Sequence, residues 1–177
     1  MSQANIVSAG SVSMRTGVAA GRQYLVFTLG GDAFAIDILQ IREIIEFGEL
    51  TEVPMTPPTV RGVINLRGAV VPVIDLAARF GRGRMQTGRR SCIVIVEVAG
   101  DQGTQTLGVM VDGVNEVIEI AASDIEPAPS FGARIRTDFI AGMGRIDGRF
   151  VILLEVARVF SVDELAEFGG LATSTAH

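Results

Sequence analysis

The chain has 177 residues, a formal net charge of −5, one cysteine and one histidine. That length suits one ordinary domain or two small ones sharing a core, burying roughly 70% of the unfolded surface without a disulfide staple. The acidic balance argues against a nucleic-acid-binding chain, and no apolar run approaches the ~20 residues that span a bilayer.

Residues 1–21 are rich in Ser, Ala and Gly, show no period, and read as a flexible N-terminal arm. They lack the charged start and apolar stretch of a secretory signal, which with an unpaired cysteine fits a reducing cytosol. Gln23 to Leu29 reads as a strand, Gly30-Gly31-Asp32 as a turn, and Ala33 to Asp37 as the returning strand. Ile38 to Gln40 is a tight corner, and Ile41 to Phe47 is expected as a strand. On that strand Ile41 and Glu43 share one face while Ile44 points the other way. Val53 to Pro58 is a proline-stiffened loop. Strands follow at Val60 to Leu66 and Val70 to Ile74, joined through Arg67-Gly68. Pro72 implies an edge or a bulge, because it cannot donate to a ladder. Asp75 is placed to cap a short helix, Leu76 to Phe80.

The stretch 81–90, with Arg82, Arg84, Arg89 and Arg90, reads as a solvated linker; no aromatic residue interleaves to stack bases. Strands are expected at Cys92 to Val98, Thr106 to Asp112, Glu116 to Ile120, Phe139 to Ile146 and Phe150 to Leu154. A short helix follows at Glu155 to Phe160. Cys92, inside an apolar run, reads as a buried structural thiol. Ile125-Glu126-Pro127 echoes Glu52-Val53-Pro54. Ser161 and Glu164 have capping-box spacing, so a terminal helix is expected over 162–168, stopped by Gly169 and followed by a tail, 169–177.

The chain also repeats itself. Gly62-Val63-Ile64-Asn65-Leu66-Arg67-Gly68, its apolar strand, Asp75, Ala77 and Phe80 recur without a gap 80 positions later. The counterparts run from Gly142 through Gly148 to Glu155, Ala157 and Phe160. A duplicated small unit is implied. Five short strands in each unit bury one face best by closing into a small barrel, which also removes exposed edges. The expected organisation is a first barrel at about 22–81, a second at about 91–160, and the terminal helix.

Catalytic chemistry finds no foothold. The one histidine is His177, so imidazole acid–base catalysis and Ser-His-Asp or Cys-His sites are excluded. One cysteine and one terminal histidine make no zinc site, and no P-loop or dinucleotide fingerprint is present. No cofactor is implied. Arg67, at a turn between two apolar strands, is either a surface turn residue or a guanidinium presented to a partner, with Glu43 able to pair with it. Phe131, after Pro127-Ala128-Pro129, is either core-facing or an interface anchor. Two rival readings are a hydrolase working through carboxylates and a barrel holding single-stranded nucleic acid on the arginine linker.

Four stretches together resemble the CheW family, the coupling proteins of bacterial chemotaxis. They are Tyr24 to Leu29, Ile36 to Ile44, Gly62 to Gly68 with Val71 to Leu76, and Val111-Asp112-Gly113-Val114-Asn115-Glu116-Val117. The resemblance covers roughly residues 22–168. It implies a mainly β fold of two tandem five-stranded SH3-like barrels with short helices. It further implies a non-catalytic adaptor that binds the regulatory domain of the chemotaxis histidine kinase and the cytoplasmic hairpin tip of chemoreceptors. Copies of the protein can also join rings in the array. By motif, Ile41, Glu43, Gly62, Asn65, Arg67, Val114 and Val117 carry over to the receptor-binding groove. Ile44 and Phe131 are the choices for the kinase- or ring-facing ends. No nucleic acid and no direct membrane insertion are implied, and the protein would be cytoplasmic, recruited to membrane-associated arrays. The long arm and arginine-rich linker depart from the family pattern and leave open a related twitching or developmental pathway.

Overall fold

The structure, a computed structural model, describes residues 21–100, 103–128 and 139–160. In chain order these form β1 (Arg22–Leu29), β2 (Asp32–Asp37), a 3-10 turn (Ile38–Gln40), β3 (Ile41–Glu46), β4 (Val60–Leu66), β5 (Ala69–Asp75) and helix α1 (Leu76–Arg79). Then come β6 (Cys92–Gly100), β7 (Gly103–Val111), β8 (Gly113–Ile120), a second 3-10 turn (Ala122–Asp124), β9 (Ile125–Glu126), β10 (Ile140–Ile146), β11 (Arg149–Leu154) and helix α2 (Val156–Val159). The arm, the terminal helix expected over 162–168, the tail and Phe131 lie outside the described residues.

Local sequence explains the hairpins. β1–β2, β4–β5 and β10–β11 each turn on two residues with positive φ: Gly30 and Gly31 (60° and 87°), Arg67 and Gly68 (53° and 89°), Asp147 and Gly148 (49° and 78°). Turns of this hand match the right-handed twist of the strands they join. Asp37 starts the first 3-10 turn, its Oδ1 accepting from Leu39 N at 2.9 Å. Asp75 caps α1, its Oδ1 accepting from Ala78 N at 3.1 Å. Pro72 falls where an edge was expected, because the β5–β7 pairing begins only at Val73.

The strands form two sheets, ordered β3-β6-β7-β5-β4 and β8-β1-β2-β11-β10-β9. Each closes on itself. Beyond β3 the chain returns to β4, with Thr51 and Val63 exchanging backbone hydrogen bonds of 3.0 and 2.9 Å. In the other sheet β8 continues through the second 3-10 turn into β9, which pairs with β10. The fold is therefore mainly β with two small barrels.

The contiguous barrels expected at 22–81 and 91–160 are corrected by this pairing. Hairpin β1–β2 belongs to the sheet of β8–β11, and hairpin β6–β7 belongs to the sheet of β3–β5. Each repeat lends its first hairpin to the other. The physical reason lies in burial: β1 places Leu25, Phe27 and Leu29 in one apolar cluster and Tyr24 and Val26 in another. A strand buried on both faces belongs between layers, at the seam of the two barrels. There Phe27, Phe34, Phe80 and Phe139 form a chain of ring contacts with centroid spacings of 6.0, 5.4 and 6.0 Å. Each such buried ring contributes roughly 1.5–3 kcal/mol. Arg79 Nε donates to the Val159 carbonyl at 2.7 Å and so ties α1 to α2.

Two further expectations change. Cys92 is half-buried rather than buried, because it opens β6 opposite Glu46 on the edge strand β3. The arginine linker is only partly solvated. Arg82 donates to Asp32 Oδ2 at 2.9 Å and lies over the Phe34 ring at 5.6 Å. Met85 enters the core and its N–H donates to the buried Asp75 Oδ2 at 2.9 Å. The lent hairpin gives this segment both its acidic partner and its aromatic face.

Candidate functional site

β3 and β4 are the two edges of the five-stranded sheet. Barrel closure carries the tip of the β4–β5 hairpin across to β3. There Arg67 Nη1 donates to Glu43 Oε2 at 2.7 Å and Arg67 Nη2 donates to Glu43 Oε1 at 2.8 Å. The Arg67 side chain is 69% exposed and that of Glu43 26%. The two-point hydrogen bond from Arg67 holds the Glu43 carboxyl below the usual carboxylate range, against a smaller opposing effect of desolvation. The same bond raises Arg67 further above its ordinary value.

The backbone supports this pair. Asn65 Oδ1 accepts from Gly68 N at 2.9 Å and so staples the turn that presents Arg67. Gly62 is buried, and a Cβ there would stand 2.6 Å from the Thr51 carbonyl oxygen. The glycine permits the close approach on which barrel closure depends. β3 carries a bulge: Ile41 pairs with Val96 and Glu43 with Ile95, leaving Arg42 extra. Ile41 is half-buried and packs against the core, while Ile44 is 42% exposed on the opposite face.

Of the residues selected from sequence, Glu43, Asn65 and Arg67 thus meet around one hairpin tip, with Gly62 and Ile41 beneath them. Val114 and Val117 stand elsewhere, on β8 in the other sheet. Among the described residues no hydrogen bond or ion pair joins them to the Glu43 group. Their relation to it is symmetry. Val114 pairs with Phe27 and Glu116 with Val26, leaving Asn115 extra, the same bulge as in β3. Through the lent hairpins, Ile41-Arg42-Glu43-Ile44 corresponds to Val114-Asn115-Glu116-Val117. Val114 is half-buried against the core like Ile41, and Val117 is 46% exposed like Ile44.

The correspondence breaks at one place. Where the first barrel has Arg67, the second has Asp147. Among the described residues the clasp therefore exists in the first barrel alone. Besides Leu39 and Met55 in a turn and a loop, sequence reasoning missed two exposed apolar residues on strands, Val70 and Phe150, at 69% and 49% exposure. They are matched positions of the repeat, opposite Asn65 and Arg145 respectively. The 80-residue offset would have paired them, but their exposure is not visible in an apolar run. Phe150 carries the Arg145 guanidinium at 5.5 Å from its ring, and Arg145 also bonds Glu126.

Among the described residues no group of three or more His, Cys, Asp or Glu is placed to hold a metal ion, and no helix is long and apolar enough to cross a membrane. The arrangement offers contacts instead: a fixed guanidinium–carboxylate pair, an amide beside it, and isolated apolar side chains on strands.

Residues 23–164 match the family model for the CheW-like domain. The chain is similar to the chemotaxis protein CheW of Klebsiella aerogenes, 33% identical over 164 residues covering 93% of this chain and 96% of that one. It is also similar to the chemotaxis protein CheW of Rhizobium meliloti, 33% identical over 144 residues covering 81% and 90%. Among solved structures, the crystal structure of the scaffolding protein TtCheW from Thermoanaerobacter tengcongensis superimposes with a TM-score of 0.74 at 35% identity, covering 84% of this chain and 94% of that one.

Proposed function

The chain belongs to the CheW-like domain family, and on that premise we propose that it is a non-catalytic adaptor coupling chemoreceptors to the chemotaxis histidine kinase. In this reading the receptor's cytoplasmic hairpin tip contacts Glu43, Asn65, Arg67 and Val117, held in place by Ile41, Gly62 and Val114. The kinase regulatory domain, or further copies in a ring, contacts the ends marked by Ile44 and by Phe131. The protein works in the cytoplasm, recruited to receptor arrays, with no cofactor, nucleic acid or membrane insertion.

The observation that carries the reading is the Glu43–Arg67 clasp. Its guanidinium is largely exposed yet fixed by two hydrogen bonds. A partner's carboxylate or carbonyl meets donors whose geometry is already set, so less side-chain entropy is lost on contact. Signalling state passes through such a body only if the two receptor states bind it with different free energies. Weak contacts suffice, because an array supplies many at once.

Co-sedimentation tests this directly. The full chain is expected to pellet with a receptor cytoplasmic fragment and with the kinase separately, and to bring more kinase down when all three are mixed. Failure to associate with either would remove the proposal.

A further inference from the structure

Met55 stands 91% exposed, the most open of the large apolar side chains among the described residues. Its backbone is held at φ 65°, a region that L-residues rarely adopt. The loop around it explains why this conformation persists. Pro54, Pro57 and Pro58 fix their own φ angles, and Thr56 Oγ1 donates to the Val53 carbonyl at 3.0 Å across the turn. The same loop forms one wall of a cleft of about 430 Å³ through Val53, Thr56, Pro57 and Pro58. An apolar side chain is thus kept in water on a stiff loop, where turning inward would require the whole turn to rearrange. The other described methionines are placed differently. Met85 and Met110 are buried in the core, and Met143 is partly buried against it.

We propose that Met55 is a reversible oxidation site, at which a peroxide writes a sulfoxide on the folded chain ahead of the other described methionines. The step needs only the thioether and the peroxide. A sulfur lone pair attacks one peroxide oxygen, and the S–O bond forms as the O–O bond breaks. The departing hydroxide takes up the proton of the attacked oxygen and leaves as water, so the sulfur is oxidised and the peroxide reduced. Access decides which thioether reacts, because a sulfur enclosed in the core meets no peroxide until the fold opens. The product is polar and accepts hydrogen bonds where the thioether was apolar. Since Met55 packs against nothing that the fold depends on, the mark changes the surface of the first barrel and leaves its core intact. The adaptor reading gives this residue no contact, so the site stands apart from the clasp.

The test is a time course of the full chain in hydrogen peroxide, read by mass of the peptides that carry Met55, Met85, Met110 and Met143. Met55 is expected to oxidise more than about tenfold faster than Met85 and Met110, with Met143 between them. In urea the four rates should converge, since the order is set by the fold. The chain oxidised at Met55 should unfold within about 2 °C of the parent, as a change confined to an exposed side chain does. Methionine sulfoxide reductases of both stereospecificities should restore the thioether. Met55→Leu keeps the apolar bulk and should abolish the early event while leaving the other three rates unchanged. A Met55 rate no faster than those of Met85 and Met110, an order that survives in urea, a larger loss of stability, or a sulfoxide that resists both reductases overturns the proposal.

Discussion

Glu43 and Arg67 come from opposite edges of one sheet and meet in a two-point ion pair, so a contact between side chains marks the seam at which the first barrel closes. The turn that supplies Arg67 holds it at φ 53°, a region L-residues rarely adopt. The matched turn of the second barrel has Asp147 and, among the described residues, no such pair.

Charge reversal at this clasp should separate binding from folding. Arg67→Glu removes both hydrogen bonds and sets two carboxylates together on an exposed surface. Cooperative unfolding is expected to persist, with receptor-fragment binding greatly weakened in a pull-down. Unchanged binding by a folded variant would take Arg67 out of the contact.

The clasp also makes a pH prediction. The Glu43 carboxyl titrates below its unfolded value because Arg67 bonds its charged form. Its stabilising effect is therefore fully present above the unfolded carboxylate pKa and is lost as pH falls through the depressed folded value. Arg67, raised above its ordinary value, adds no transition in the accessible acid range. Carboxyl chemical-shift titration should find Glu43 low in the native chain and restored toward the ordinary range in Arg67→Ala. Added salt should shrink the difference, since the pair is exposed.

Gly62→Ala and Gly142→Ala provide a matched pair. At Gly62 the new Cβ would meet a backbone oxygen at 2.6 Å, whereas at Gly142 the nearest atom is Ile125 Cγ2 at 2.7 Å. A side-chain methyl can swing aside more readily than a carbonyl in a closing bridge. Gly62→Ala is expected to cost ~1–3 kcal/mol by urea unfolding, and Gly142→Ala less.

Asp75 is fully buried, accepting from Arg61, Met85 N and Ala78 N. Asp75→Ala strands the Arg61 guanidinium and should cost ~3–5 kcal/mol. Its repeat counterpart Glu155 makes no capping bond. Glu155→Ala should fall within about 0.5 kcal/mol of the parent chain. Similar losses at the two sites would mean the caps are equivalent after all.

Ile44 and Val117 are corresponding residues that the proposed function places against different partners. Ile44→Asp is expected to weaken kinase binding by roughly tenfold and spare receptor binding, and Val117→Asp the reverse. Parallel losses in both assays would show that Ile44 and Val117 do not meet different partners.

Hairpins, caps and the repeat were legible because each is set by near neighbours: Gly30-Gly31, Asp147-Gly148 and Asp75 act within a few residues. The Glu43–Arg67 pairing was also within reach, since the two are opposite charges set among apolar strand residues. Val70, Phe150 and Arg82 were not, because exposure and partner depend on what the opposite strand or the lent hairpin brings alongside.

Composition and local pattern were enough to specify a lysine-free, histidine-poor β chain, built twice from the same turn, strand and acid. Which strands pair was settled by packing, which exchanged the first hairpin of each repeat. Apolar runs such as Tyr24 to Leu29 specify burial on both faces but not the layers that cover them; that choice is made by the total surface two barrels can hide together.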